Sequence, residues 1–301
     1  MKLLSFEVNG EEQFGAVRET GKTIWNLKEL EKEYDGKHEL PPALLHVIQG
    51  GEDFLKRVTE LINFGSELKD PSRFLYDWED VILLSPITKP VKNIMCVGKN
   101  YREHAIEMGS EADIPEHIMI FTKATTSVTG PSAMVQSHAS LTSQLDYEGE
   151  LAVIIGKKGI NISEEDARSY IFGYTILNDI TARDLQKKHK QFFLGKSLNT
   201  TCPMGPYIVT VDEIQEPESL SIRTLVNGEV RQQASVSDMI FPIETIIAEL
   251  SAGMTLEPGD IIATGTPSGV GKGFKPPRFL KSGDRIEITI DKIGTLTNTI
   301  K

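Results

Sequence analysis

The chain has 301 residues, 39% of them hydrophobic and 25% charged, with a formal net charge of −11. That composition fits an ordinary folded protein, and the negative charge argues against nucleic acid and anionic membrane surfaces as main partners. Only Cys96 and Cys202 are present, so we expect no disulfide framework and a reducing, cytoplasmic setting.

Glu7, Glu11 and Glu12 interrupt the apolar start before it can form a signal sequence, and no run reaches the ~18 apolar residues of a membrane span. Asn9-Gly10 between Leu3–Val8 and Phe14–Val17 predicts a hairpin. Helices are expected over Leu27–Tyr34 and, after Pro41-Pro42, over Ala43–Phe64. Ser85-Pro86 and Lys89-Pro90 then punctuate the chain. We place a boundary there, giving a small N-terminal α+β domain (1–85) and a larger domain (86–301).

Beyond Val91, short strands alternate with Gly/Pro turns. Asn93–Val97, Glu150–Ile155, Gly173–Asn178, Tyr207–Thr210 and Asp260–Thr264 read as strands, and Asn227-Gly228 as a second hairpin turn. Arg285–Asp291 alternates, with Ile286, Ile288 and Ile290 on one face. Ser163 caps a helix expected over Ala167–Phe172, and another is expected over Pro242–Ser251. Helices do not alternate regularly with strands, so the expected class is α+β, a β-rich core with few helices.

The strand reading puts Asp146, Glu148 and Glu150 on one face, just before the apolar run Leu151–Ile155. Two carboxylates about 5 Å apart repel by roughly 3 kcal/mol at an effective dielectric near 20. A divalent cation would offset that repulsion, and Asp179, ending the strand Gly173–Asn178, offers a further oxygen. Three protein ligands would leave positions open for water and substrate. A solvated strand face would carry the same acids without any ion.

His104 and Glu107 are three apart, so on a helical turn a carboxylate can orient an imidazole as general base. The same spacing also occurs in surface pairs. Lys99, Arg102, Lys123, Arg183 and Lys196 supply cations, and Lys196 stands out between apolar Phe192–Leu194 and a polar turn. Gly265–Gly273 has the wrong spacing for a phosphate loop or a nucleophile elbow. A glycine-dense turn directing backbone N–H groups at an anion fits it instead.

Taken together, Val97–Glu107, Asp146–Val153, Gly173–Gln186, Gly195-Lys196-Ser197, Pro258–Gly271 and Leu280–Asp284 resemble the fumarylacetoacetate hydrolase family over residues 90–300. The first 85 residues carry no such motif. The resemblance implies a mixed β-roll, a homodimer and a bound Mg²⁺ or Mn²⁺. It implies Glu148, Glu150 and Asp179 as metal ligands, a His104–Glu107 acid/base dyad, and Lys196 beside the metal. Gln186, Thr266 and, less directly, Arg183 match positions near substrate; Lys99, Arg102 and Lys123 are further candidates. Two departures adjoin the expected pocket: Ala124 where many members have proline, and Asn199 where aspartate is common.

The family's substrates share a 2-oxo acid unit. The expectation is a metal-dependent oxaloacetate decarboxylase, with acylpyruvate hydrolase or 2-hydroxyhepta-2,4-diene-1,7-dioate isomerase chemistry as alternatives. A protein-interaction scaffold using the N-terminal region is the alternative of another class.

Overall fold

The computed structural model describes residues 1–18, 21 and 23–301. The larger sheet runs from Leu75–Asp77 through Thr23–Asn26, Glu11–Val17, Lys2–Val8, Cys202–Thr210, Ile171–Asn178, Gly149–Ile155, Ile261–Ala263 and Ile94–Gly98 to Met119–Lys123. A five-stranded sheet holds Glu229–Ser235, Ser221–Val226, Arg285–Ile290, Gly294–Ile300 and Met134–Val135. This is the mixed α+β, β-rich architecture expected.

Side-chain alternation explains how the layers meet. Leu151, Val153 and Ile155 point to one face of the large sheet and pack with Ile286, Ile288 and Ile290 of the smaller one. Ala152 and Ile154 point the other way, against Leu27, Leu30, Leu44, Val58 and Leu61 of the N-terminal helices. A strand covered on both faces must be apolar throughout, which accounts for the unbroken run Leu151–Ile155.

Residues 1–85 share this construction. Strand Lys2–Val8 pairs with Cys202–Thr210, with Lys2 opposite Val209 and Leu3 opposite Ile208. The change in texture near residue 85 therefore coincides with no break in the sheet or the core. Among the described residues no helix is long and apolar enough to cross a membrane.

Both Asn-Gly hairpins form. Three local expectations need correction. The helix expected over Ala43–Phe64 divides into Leu44–Gly50 and Glu52–Glu67, because Gly51 adopts φ +68 between them. Ser163 does cap a helix, with its side chain accepting from Asp166 N–H, but the α-helix is only Glu164–Ala167. One 3₁₀ turn follows, since Ile171 already belongs to a fully buried strand. Asp146 lies on a separate two-residue strand that pairs with Thr181–Ala182, so it does not continue the face of Glu148 and Glu150.

Candidate active site

Strand register assembles the acids. Gly149 pairs with Asn178 and Glu150 with Leu177, and Asp179 N–H donates to Glu148 carbonyl oxygen at 2.8 Å. This carries Asp179 to the end of the strand that bears Glu150, next to Glu148. The three carboxylates each offer an oxygen within 4.8 Å of the others, all buried.

Three buried cations surround them. Lys196 Nζ lies 2.6 Å from both Glu148 Oε2 and Asp179 Oδ2. Lys123 Nζ lies 2.8 Å from Asp179 Oδ1 and also donates to the carbonyls of Ile180 and Lys196. Arg183 spans Glu148 Oε1 at 2.7 Å and Asp146 Oδ2 at 2.9 Å. Burial alone would raise the Glu148 carboxyl, but Lys196 and Arg183 hold it well below the ordinary carboxylate range. Burial would likewise lower the Lys196 ammonium, yet Asp179 and Glu148 raise it.

Glu150 differs. Its Oε2 accepts one bond, from Gly265 N–H at 2.8 Å, and no cation of the described residues pairs with it. Burial pushes its carboxyl well up, and Asp179 and Glu148 push it further. Four buried carboxyl groups (Asp146, Glu148, Glu150, Asp179) face three buried cations, which leaves Glu150 without one. The donor set is all carboxylate oxygen, which hard divalent ions prefer. The triad therefore fits Mg²⁺ or Mn²⁺.

The dyad comes from helix Arg102–Met108. His104 is buried, with Nδ1 3.3 Å from Glu107 Oε2. Glu107 Oε1 accepts from Gly269 N–H at 2.9 Å. Asn100 anchors the start of this segment: it donates to the carbonyls of Phe241 and Thr264 and accepts from Phe241 N–H.

The turn Gly265–Gly273 does direct backbone N–H groups at anions, and those anions are the site's own carboxylates. Gly265 serves Glu150, Gly269 serves Glu107, and Gly271 and Lys272 both serve Asp146. Gly265 has φ +105, a conformation L side chains rarely adopt, and a β-carbon there would fall 2.7 Å from Asn100 Cβ.

Lys99, His104, Glu148, Glu150, Arg183, Gln186, Lys196 and Thr266 line one cavity of about 230 Å³. Asp179, Glu107 and Lys123 stand behind its wall. Arg102 is not part of that wall; its guanidinium reaches Glu111 at 3.2 Å in solvent. Thr266 donates its hydroxyl to Gly149 carbonyl oxygen and accepts from Gln232 Nε2. Ala124 N–H donates to Ser197 Oγ at 3.0 Å, a bond that a proline there would lack, and Asn199 carbonyl oxygen faces His138 Nε2.

Sequence reasoning missed Gln232, which is fully buried and holds Gly149, Thr266 and Pro267 together. A neutral side chain inside a hairpin strand gives no chemical signal. It also missed the apolar walls Phe121 and Phe192, and Lys187 and Lys272.

A family model described as fumarylacetoacetate (FAA) hydrolase C-terminal matches residues 93–301. The chain belongs to the fumarylacetoacetate hydrolase family. It is 60% identical over 278 residues to "Oxaloacetate tautomerase YisK" of Bacillus subtilis (strain 168), covering 92% of each chain. A fumarylacetoacetate hydrolase from psychrophilic Exiguobacterium antarcticum matches at 42% identity and TM-score 0.81, over 100% of this chain and 99% of that one. A 2-hydroxyhepta-2,4-diene-1,7-dioate isomerase from Mycobacterium marinum matches at 33% identity and TM-score 0.73, over 100% and 98%. Both structural matches include residues 1–92, ahead of the family model. The chain is thus an enzyme of the fumarylacetoacetate hydrolase family, with a buried acidic triad suited to a metal ion.

Proposed function

We propose that the protein catalyses keto–enol interconversion of oxaloacetate, a proton transfer at C3 of a 2-oxo diacid. One observation carries this reading: buried His104, held by Glu107, lines the same cavity as Glu148 and Glu150 of the carboxylate triad. The relative named as an oxaloacetate tautomerase supports it.

Glu148, Glu150 and Asp179 would hold Mg²⁺ or Mn²⁺. Such an ion, when bound, supplies Lewis acidity toward the carboxylate and oxo oxygens of a 2-oxo acid. Glu107 holds the imidazole through Nδ1, leaving Nε2 for the substrate. His104 then takes the C3 proton from the keto form and returns it to the enol. Lys123, Lys196 and Arg183 are occupied by the acids, so they fix the triad's geometry. Phe121, Phe192 and Met108 keep bulk water from the reacting carbon.

Decarboxylation of oxaloacetate, the expectation from sequence, shares the 2-oxo acid enolate. A β-oxo acid loses CO₂ without a base, whereas interconversion needs a proton carrier from the first step, and the dyad supplies one. Acylpyruvate hydrolysis also uses a base. All three are separated by one experiment. Enol oxaloacetate is mixed with the protein and Mg²⁺ or Mn²⁺, and loss of enol absorbance is followed beside pyruvate release. The enol should disappear faster than spontaneously without matching pyruvate, and His104→Ala should slow this by about 10²–10⁴-fold. Pyruvate release without faster ketonisation would make the enzyme a decarboxylase, and cleavage of an acylpyruvate alone would make it a hydrolase. We further propose a homodimer located in the cytoplasm; light scattering should give about twice the 33.4 kDa chain mass.

A further inference from the structure

We propose that Lys187 and Lys272 form a second anion subsite, which takes the distal carboxylate of a four-carbon 2-oxo diacid whose oxo-acid end lies at the triad. This deepens the oxaloacetate reading and rests on it.

Lys187 and Lys272 both line the cavity, and neither makes an ion pair within 4.0 Å among the described residues. The other cations of the cavity are committed. Arg183 and Lys196 hold the buried acids, and Lys99 reaches Asp113 at 3.1 Å. Lys187 owes its direction to helix Arg183–His189: residues three and four after Arg183 share its face, and these are Gln186 and Lys187, both in the wall. Lys188 and His189, on the same helix, are not. Lys272 is placed by its backbone, because its own N–H and that of Gly271 both donate to Asp146, which Arg183 also grips. Burial lowers the Lys272 ammonium, and Arg183, Lys187 and Lys99 lower it further, while Asp146 opposes them. Like charges converging on one cavity are unfavourable until an anion joins them.

The subsite also bears on the choice of reaction. Decarboxylation breaks C3–C4, sends its electron pair into the enolate and releases neutral CO₂. Cations on that carboxylate stabilise the charge that must leave it, so they oppose this step and leave proton transfer at C3 unhindered.

The test uses full-length Mg²⁺-loaded protein in titration calorimetry with three probes. Oxaloacetate spans both ends, 2-oxobutyrate has the same carbon chain without the distal carboxylate, and oxalate reads the triad end alone. Wild type should bind oxaloacetate at least about tenfold more tightly than 2-oxobutyrate. Lys187→Gln with Lys272→Gln should bring the two within about twofold and leave oxalate unchanged. Both side chains reach solvent, and the single variants with circular dichroism control for folding. A wild type without the preference, a double variant that keeps it, or a proportional loss of oxalate binding would each overturn the subsite. If the binding pattern holds but wild type fails to ketonise oxaloacetate, the reaction assignment fails and the subsite stands.

Discussion

Gly273 packs so closely on the dyad that a β-carbon there would fall 2.1 Å from Glu107 Oε1. The neighbour is a side chain, so it would swing aside and the fold would hold. Gly273→Ala should therefore lower kcat about tenfold or more through loss of imidazole orientation, with a thermal midpoint close to wild type; a normal kcat would remove Glu107 from the mechanism. Cys96 and Cys202 are buried, and burial pushes the Cys202 thiol up to about 12 and the Cys96 thiol well above its usual value. The neutral thiol is thus favoured at any working pH. A thiol reagent at pH 8 should count no cysteines in native protein and two after denaturation. Glu148 and Glu150 were legible in the sequence because a strand repeats every two residues. Asp146 was misread for the same reason: a break at Tyr147-Glu148 sends it to Arg183 and the Gly271 turn. Arg102 lies outside the cavity wall, since sequence proximity to His104 does not say which way a helical side chain points.

At the level of elements, pairing does what no single motif does. The antiparallel register of Gly149–Ile155 with Ile171–Asn178 joins acids about thirty residues apart, and the Gly265–Gly273 turn then supplies their backbone donors. The strands were readable from apolar runs and Asn-Gly turns, because local conformational preference and tertiary burial agree there. The split at Gly50-Gly51 and the shortened helix after Ser163 were not, since tertiary packing decides them. The N-terminal helices are tied by Arg57, whose Nε lies 3.1 Å from the buried Glu31 and whose guanidinium also reaches Asp35 at 2.8 Å. Arg57→Ala leaves Glu31 buried beside only the Leu40 N–H. It should cost about 3 kcal/mol, read as a lower urea midpoint; an unchanged midpoint would mean water replaces the guanidinium.

For the whole molecule, a net charge of −11 repels an anionic substrate at long range, so attraction must be local. The buried cluster around the triad leaves one carboxyl, Glu150, without a cation, and burial favours its neutral form. A divalent ion there would favour the ionised carboxyl and turn the cavity into an attractor for a dianion. Binding to the native state alone stabilises it, so Mn²⁺ at about 100 times its Kd should add ~2.7 kcal/mol, seen as a raised melting temperature that a chelator abolishes. The most direct measurement is calorimetric titration of metal-free protein with Mn²⁺, beside Glu150→Gln and Asp179→Asn. Wild type should take up one ion per chain, and each variant should bind at least about tenfold more weakly. No uptake by wild type, or equal affinity in all three proteins, would contradict a metal centre at these carboxylates.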